Sequence, residues 1–319
     1  MNRIRTLLLS ALALLIAPAT TGCGIIGPGD GAGGSSTRGI IKVGFITKFP
    51  ADFYDTMVDA VKKYDSEHND VTVVFGQGQN GTDDAGQITI VENMIKQGVK
   101  AIAITPASTN LVGVLEQADR AGVKVVLVDN DIREWTRKKS VVATDNFAGG
   151  KLAGEWLAGK LRPGAAVAIL QGRLGNASLN ARVEGFKEGL GDGARIVAEP
   201  ATDCDQGKGL SATRDILTRH PTISAIFGAC GPPITGALQA VKAAKKQPGA
   251  ITVVGFDASP DELTAIANGE QAASVAQFPA KMGLQGIEAA VGAARGETVK
   301  DVIDTGTAIV TKDNVGQFR

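Results

Sequence analysis

Histidine is scarce in these 319 residues; only His68 and His220 occur. Both stand at the ends of helix-like segments just before turn residues, where a cation beside a helix C-terminus is ordinary. The chain has no H-E-x-x-H, no G-x-S-x-G and no phosphate loop ending in G-K-[ST], so zinc hydrolysis, serine hydrolysis and nucleotide hydrolysis lack their signatures. Asp129-Asn130-Asp131 begins as a calcium loop does, but Glu134 stands where the sixth-position glycine belongs, and no metal is expected. Gly76-Gln77-Gly78-Gln79-Asn80-Gly81 matches a dinucleotide fingerprint in form only. It follows the second strand, not the first, and the next strand ends in Thr105-Pro106 without the acid that would hold a ribose, so no cofactor is expected. A charge excess is missing as well. The 33 Lys and Arg balance 33 Asp and Glu, which leaves no basic surface for nucleic acid.

The apolar run at the start is too short to cross a bilayer, which needs about 20 apolar residues. Arg3 and Arg5 precede it, and Thr20-Thr21-Gly22-Cys23 closes it, the order of a secretory signal. Small residues before a cysteine resemble the bacterial lipobox, with Thr20 where Leu is usual. Two outcomes follow: lipidation of Cys23 after removal of residues 1–22, or cleavage after Ala17-Pro18-Ala19 with Cys23 left as a thiol. The expectation is the first, a protein exported and lipid-anchored to the outer face of the cell membrane. Residues 23–39, rich in Gly and Ser, read as a flexible tether. Loss of residues 1–22 would remove two arginines and no acid, leaving 31 basic against 33 acidic side chains.

The remaining 280 or so residues exceed what one hydrophobic core usually serves, so two lobes are expected. From residue 40, apolar runs of strand length alternate with longer amphipathic segments. Strands are expected at 40–46, 71–75, 101–104, 123–128 and 141–143, then at 166–170, 195–198, 223–227, 251–255, 272–276 and 308–311. Helices fall near 53–67, 84–97, 109–120, 146–160, 177–190, 208–219, 233–245, 260–268 and 280–295. Continuous apolar strands between helices mean parallel sheets covered on both faces. Ligands of such sheets sit beyond the carboxyl ends of the strands.

Two strands end there in a carboxylate, at Asp129 and Asp257. An ionised Asp only accepts hydrogen bonds and takes two hydroxyl protons at once, which suits a vicinal diol; the alternative for each is a cap on the next turn. Phe49, Phe53 and Tyr54 bring three of the chain's 14 aromatics to the end of the first strand. Aromatic faces cover the C–H face of a sugar. Ligand contact is favoured for Phe53 and Tyr54 over a hydrophobic plug. Apart from Cys23, only Cys204 and Cys230 remain, to be read either as one bridge or as two small buried side chains.

Taken in order, Gly44-Phe45-Ile46-Thr47 with Phe53-Tyr54, Val128-Asp129, Thr144-Asp145-Asn146 with Gly149-Gly150, Val183-Glu184-Gly185-Phe186, His220-Pro221, Val254-Gly255-Phe256-Asp257 and Ala276-Gln277 resemble the type I periplasmic binding proteins of ABC importers, above all the ribose-binding-like sugar binders. The resemblance implies an α/β fold of two doubly wound parallel-sheet lobes. The chain would cross the hinge three times, near Thr144-Asp145, Ala276-Gln277 and Asp304-Gly306. Residues 40–144 and 277–304 would form the N-terminal lobe, and 145–276 and 305–319 the C-terminal one. Thr47, Phe53, Tyr54, Asp129 and Asn130 would line the ligand site from the first lobe, and Asn180, Phe256 and Asp257 from the second, with Gln277 at a crossing. Cys204 and Cys230 fall where related proteins place ligand-site residues, close enough for a bridge. Asn130 and Asn180 stand where pentose binders often carry Arg, implying a roomier and less polarised pocket. The implied function is binding without catalysis: a monomer that captures a pentose, hexose or short alditol and delivers it to a permease and its ATPase. A sensor lipoprotein presenting such a sugar to a receptor is the alternative.

Overall fold

The computed structural model describes residues 39–318. Residues 1–38, which carry the expected signal sequence, Cys23 and nearly all of the expected tether, lie outside the described residues. Twelve strands among those described divide into two six-stranded sheets. The first contains β1 (Ile41–Thr47), β2 (Val71–Gln77), β3 (Ala101–Ile104), β4 (Lys124–Val128), β5 (Ser140–Ala143) and β11 (Val302–Asp304), in the order β11-β5-β4-β3-β1-β2. The second contains β6 (Ala165–Leu170), β7 (Ala194–Ala198), β8 (Ala225–Gly228), β9 (Thr252–Asp257), β10 (Ala273–Ala276) and β12 (Ala308–Thr311), in the order β12-β10-β9-β8-β6-β7.

Every pairing in the first sheet is parallel. In the second, β12 runs antiparallel to β10 and the other pairings are parallel. The strand β11 was not foreseen. It has three residues, two of them exposed, and pairs with β5 at the sheet edge, so it carries no apolar run to betray it. By contrast, all four residues of β3 and all four of β8 are buried, as strands covered on both faces require.

Sheet membership changes between β5 and β6, between β10 and β11, and between β11 and β12. The helix α9 (Pro279–Ala294) follows β10, yet its Met282, Ile287, Ala290 and Val291 join the core of the first sheet, against Met57 and Val61 of α1 (Asp52–Glu67). Where the connections run side by side, the Thr305 amide donates to the Ala143 carbonyl (3.0 Å) and the Asp145 amide to Asp304 Oδ1 (3.1 Å).

One helix pair fixes much of the second half. Helices α4 (Asn146–Ala158) and α5 (Ala177–Leu190) meet along glycines. A Cβ at Gly150 would stand 2.1 Å from the Arg182 carbonyl oxygen, and one at Gly185 would stand 2.0 Å from that of Phe147. Gly154 and Gly189 make the same backbone-on-backbone approach further along. Only a residue without Cβ allows helix axes this close. The consequence is positional: Arg182 Nε reaches Asn146 Oδ1 at 2.8 Å. No helix among the described residues is long and apolar enough to cross a membrane.

Candidate functional site

Both strand-end carboxylates sit on unusual backbone. Asp129, just past β4, has φ 64°, and Asp257, closing β9, has φ 101°, followed by Ala258 at 48°. Left-handed backbone at residues other than glycine costs of order 1–3 kcal/mol and persists where the surroundings impose it, often at ligand sites. The surroundings here are hydrogen bonds. The Asp129 amide donates to the Val142 carbonyl (2.9 Å), and the Ala258 amide donates to Ser274 Oγ (3.1 Å).

In the first half, Tyr54 Oη donates to Asp129 Oδ2 at 3.3 Å, and Asn130 Nδ2 donates to the same oxygen. Burial raises the Tyr54 hydroxyl well above its ordinary 10, and the charge of Asp129 adds to this. It therefore stays a phenol and a donor. Phe49 and Phe53 set their edges against the Tyr54 ring, at centroid distances of 5.1 and 5.3 Å. In the second half, Asp257 Oδ1 accepts from Arg182 Nη1 (3.1 Å) and Gln277 Nε2 (2.6 Å), and Oδ2 accepts from the Gly231 amide (3.0 Å). Burial pushes the Asp257 carboxyl above its ordinary range, while Arg182, Gly231 and Gln277 pull it back.

The two halves touch. Asn176, the N-cap of α5, donates to Asn130 Oδ1 at 3.4 Å. The charge of Asp129 is felt at Asp257 and that of Asp257 at Tyr54. A cavity of about 290 Å³ opens beside Asp129, walled by Ala143 from the first sheet and by Asn146, Phe147, Ala177 and Ser178 from α4 and α5. Among the described residues Gln277 Oε1 is buried and finds no donor, while its Nε2 holds Asp257.

The structure thus brings together Tyr54, Asp129, Asn130, Asp257 and Gln277 of the expected residues, with Phe53 half-buried beside Tyr54. Others stand elsewhere. Thr47 is fully buried; its hydroxyl accepts from Gln77 Nε2 (3.1 Å) and its carbonyl from Gly78, so it belongs to the wall behind the junction. Phe256 is also fully buried. Alternation along β9 turns it away from Asp257 into the second core, where the Arg182 guanidinium covers its ring at 3.9 Å. Asn180 is exposed on α5 and takes no part in the network that Asn176 and Arg182 make. Cys204 and Cys230 are joined as a disulfide, Cα to Cα 5.9 Å.

The side chains of this network that were not foreseen are Asn146, Asn176 and Arg182, with Lys48 buried at the end of β1. Nothing local marks Arg182, since its role comes from glycine contacts across two helices. Lys48 directly follows the apolar strand β1, at the carboxyl edge of the same sheet that carries Asp129 after β4. It is 8% exposed and flanked by the charges of Asp129, Arg182 and Arg173.

Behind Asp257 lies a second buried acid. Glu262 completes a capping box with Ser259 at the start of α8 (Pro260–Asn268) and accepts from Gln271 Nε2 (2.9 Å) and Ser274 Oγ (2.8 Å). Burial raises its pKa to about 7, reinforced by the charge of Asp257 and opposed by those hydrogen bonds. A carboxyl raised on folding favours the folded state most below its unfolded value, and loses that contribution as pH rises through the folded value. Thermal stability should therefore fall as pH rises from the ordinary value of 4.5 to the Glu262 value of about 7, and level off above it. The difference between the wild-type melting curve and that of Glu262→Gln isolates the effect; a difference independent of pH would exclude it.

A family model described as a periplasmic binding protein domain matches residues 43–298. The ribose import binding protein of Escherichia coli is 31% identical over 264 residues, covering 82% of this chain and 86% of that one. The D-ribose/D-allose-binding protein of Pseudomonas aeruginosa is 34% identical over 272 residues, covering 82% and 85%. A solved ABC transporter solute-binding protein from Bacillus halodurans, with bound myo-inositol, superposes with a TM-score of 0.82 at 26% identity, covering 89% of this chain and 99% of that one. The family model covers most of the described chain, and the two doubly wound sheets agree with the fold of the solved relative: the chain belongs to the periplasmic binding protein family.

Proposed function

We propose that this chain is the solute-binding subunit of an ABC importer, taking a small neutral sugar or polyol between its two sheets and passing it unchanged to a permease. The observation that supports this best is the set of acceptors at the junction. Asp129 from one half, Asp257 from the other and the unbonded Gln277 Oε1 between them call for a ligand rich in O–H donors. An acceptor left without its hydroxyl costs about 1–3 kcal/mol, so each hydroxyl of the ligand is checked. Relatives bind ribose, allose and myo-inositol by name, all neutral polyols. Residues 40–144 with 277–304 act as one jaw and 145–276 with 305–319 as the other, closing as hinged lobes do.

The test is calorimetry and thermal shift against D-ribose, D-allose, D-arabinose, myo-inositol and glycerol. One of these at a hundred times its Kd should stabilise the protein by about 2.7 kcal/mol. Binding of none of them would sink the reading. Export with a lipid on Cys23 completes it: Cys23→Ser should release the protein from the membrane fraction, and unchanged retention would refute the anchor.

A further inference from the structure

Asp257 is supported from behind by Glu262. In the first turn of α8, Glu262 is 1% exposed and makes no ion pair among the described residues. Its carboxyl lies against backbone: a Cβ at Gly255 of β9 would stand 1.9 Å from Oε1, and one at Gly231 would stand 2.9 Å from Oε2. A side chain at either position would displace the acid, so both glycines make room for it. Its contacts lead back to Asp257 by more than one route. Ser274 Oγ donates to Oε1 (2.8 Å) and accepts from the Ala258 amide (3.1 Å), within the left-handed backbone of Asp257 and Ala258. The Ser259 amide donates to Oε2 (3.1 Å). Gly231, packed on Oε2, gives its own amide to Asp257 Oδ2 (3.0 Å). Pro232 and Pro233 follow it in the first turn of α7 (Gly231–Ala243) and have no N–H, so Gly231 is the donor which that helix start can offer.

Every hydrogen bond at the Glu262 carboxyl is one that it accepts, from Gln271 Nε2, Ser274 Oγ and the Ser259 amide. These surroundings are built for a carboxylate, which is acceptor-only, whereas a neutral acid has a proton to place. Burial works the other way and raises its pKa to about 7. Both forms are therefore populated near neutral pH. The charge that faces Glu262 is that of Asp257 on β9. Gly231 from α7, Ser274 from β10 and Gln271 from the segment before β10 are neutral, and Val310 and Val315 pack on α8 from the C-terminal side. Asp261, its neighbour on α8, is exposed, and Arg182 is paired with Asp257 itself. A hydroxyl donated to Asp257 spreads that carboxylate's charge and eases ionisation of Glu262. Binding then releases a proton, and by reciprocity affinity rises as the proton leaves.

Resting on the reading of Asp257 as a polyol-binding group, we infer that Glu262 is a positioning residue for that carboxylate, holding its backbone through Ser274 and its amide donor through Gly231, and that the proton on Glu262 sets how tightly the polyol is bound. The protonated form is the weaker binder.

The experiment is calorimetry from pH 5.5 to 8.5 with whichever of D-ribose, D-allose, D-arabinose and myo-inositol binds the wild-type protein. Wild-type affinity should rise about fivefold across that range, at the lower end of couplings between sites. Titrations at pH 7 in two buffers of different ionisation enthalpy should show a proton released. Glu262→Gln cannot ionise; it should bind with one affinity throughout, below that of the wild type at pH 8.5. Both proteins share His68 and His220, so the difference between their profiles isolates Glu262. Ser274→Ala, which cuts the link to Ala258, should weaken binding in the wild-type background and change little in Glu262→Gln. A flat wild-type profile without proton release, a slope that persists in Glu262→Gln, or losses that simply add overturns the inference and leaves the proposed function intact. Binding of none of the four at any pH overturns the proposed function and the inference with it. If Glu262→Gln does not fold, the proton count of the wild type decides, and a count of zero overturns the inference.

Discussion

Asp257→Ala should lower polyol affinity at least tenfold and, unlike Asp129→Ala, should also destabilise the free protein. The difference lies in what each carboxylate holds. Asp257 receives Arg182, Gln277 and the Gly231 amide. Removing it leaves a guanidinium that is 5% exposed without its counter-ion. Breaking a buried pair from one side costs 3–5 kcal/mol; the Asp257 side chain is 23% exposed, so a loss of about 2–3 kcal/mol is the better expectation. Asp129 receives only Tyr54 and its own neighbour Asn130, and its loss strands one phenol. Calorimetry with denaturant unfolding of both variants separates the two effects. Wild-type affinity in Asp257→Ala would remove that residue from the ligand site, and unchanged stability would show that Arg182 finds another partner.

Reduction of the Cys204–Cys230 bridge is the second large effect. The cysteines are 26 residues apart in sequence, and closing a loop of that size restricts the unfolded chain by about 3 kcal/mol. Replacing both by Ser should lower stability by a comparable amount. The bridge also touches the ligand side. Cys230 is the N-cap of α7 (Gly231–Ala243), and the next amide, that of Gly231, holds Asp257 Oδ2. The double variant should therefore bind its polyol several-fold more weakly. Thiol titration of the denatured, unreduced protein checks the premise: two reactive thiols beyond Cys23 would exclude the bond.

Legibility in the sequence followed the physics of each element. Strands buried on both faces declare themselves, and β3, all four residues buried, falls on the expected residues because an apolar run bounded by turns leaves one interpretation. The exposed edge strand β11 lacks that run and stayed hidden. Helix starts shifted where proline intervened: α7 begins at Gly231 with prolines in its first turn, ahead of the expected 233. At the junction, the placement of Asp129 and Asp257 was legible because each directly follows or closes an apolar strand. Lys48 stands in the same relation to β1. Phe256 was misplaced for a simpler reason: adjacent strand residues face opposite ways, so the resemblance that carried Asp257 to the site carried its neighbour into the core. Asn180 and Arg182 lie two positions apart on one helix, and only the packing of α5 decides which of them turns inward.

The glycine contact between α4 and α5 has a bearing on how this molecule can change. With main chain lying on main chain at Gly150, Gly154, Gly185 and Gly189, the two helices are welded into a single strut, and any added methyl would prise it apart and carry Arg182 off Asp257. Retargeting the protein to another cargo must therefore leave the weld alone and work at strand tips, where side chains can be exchanged without moving the frame.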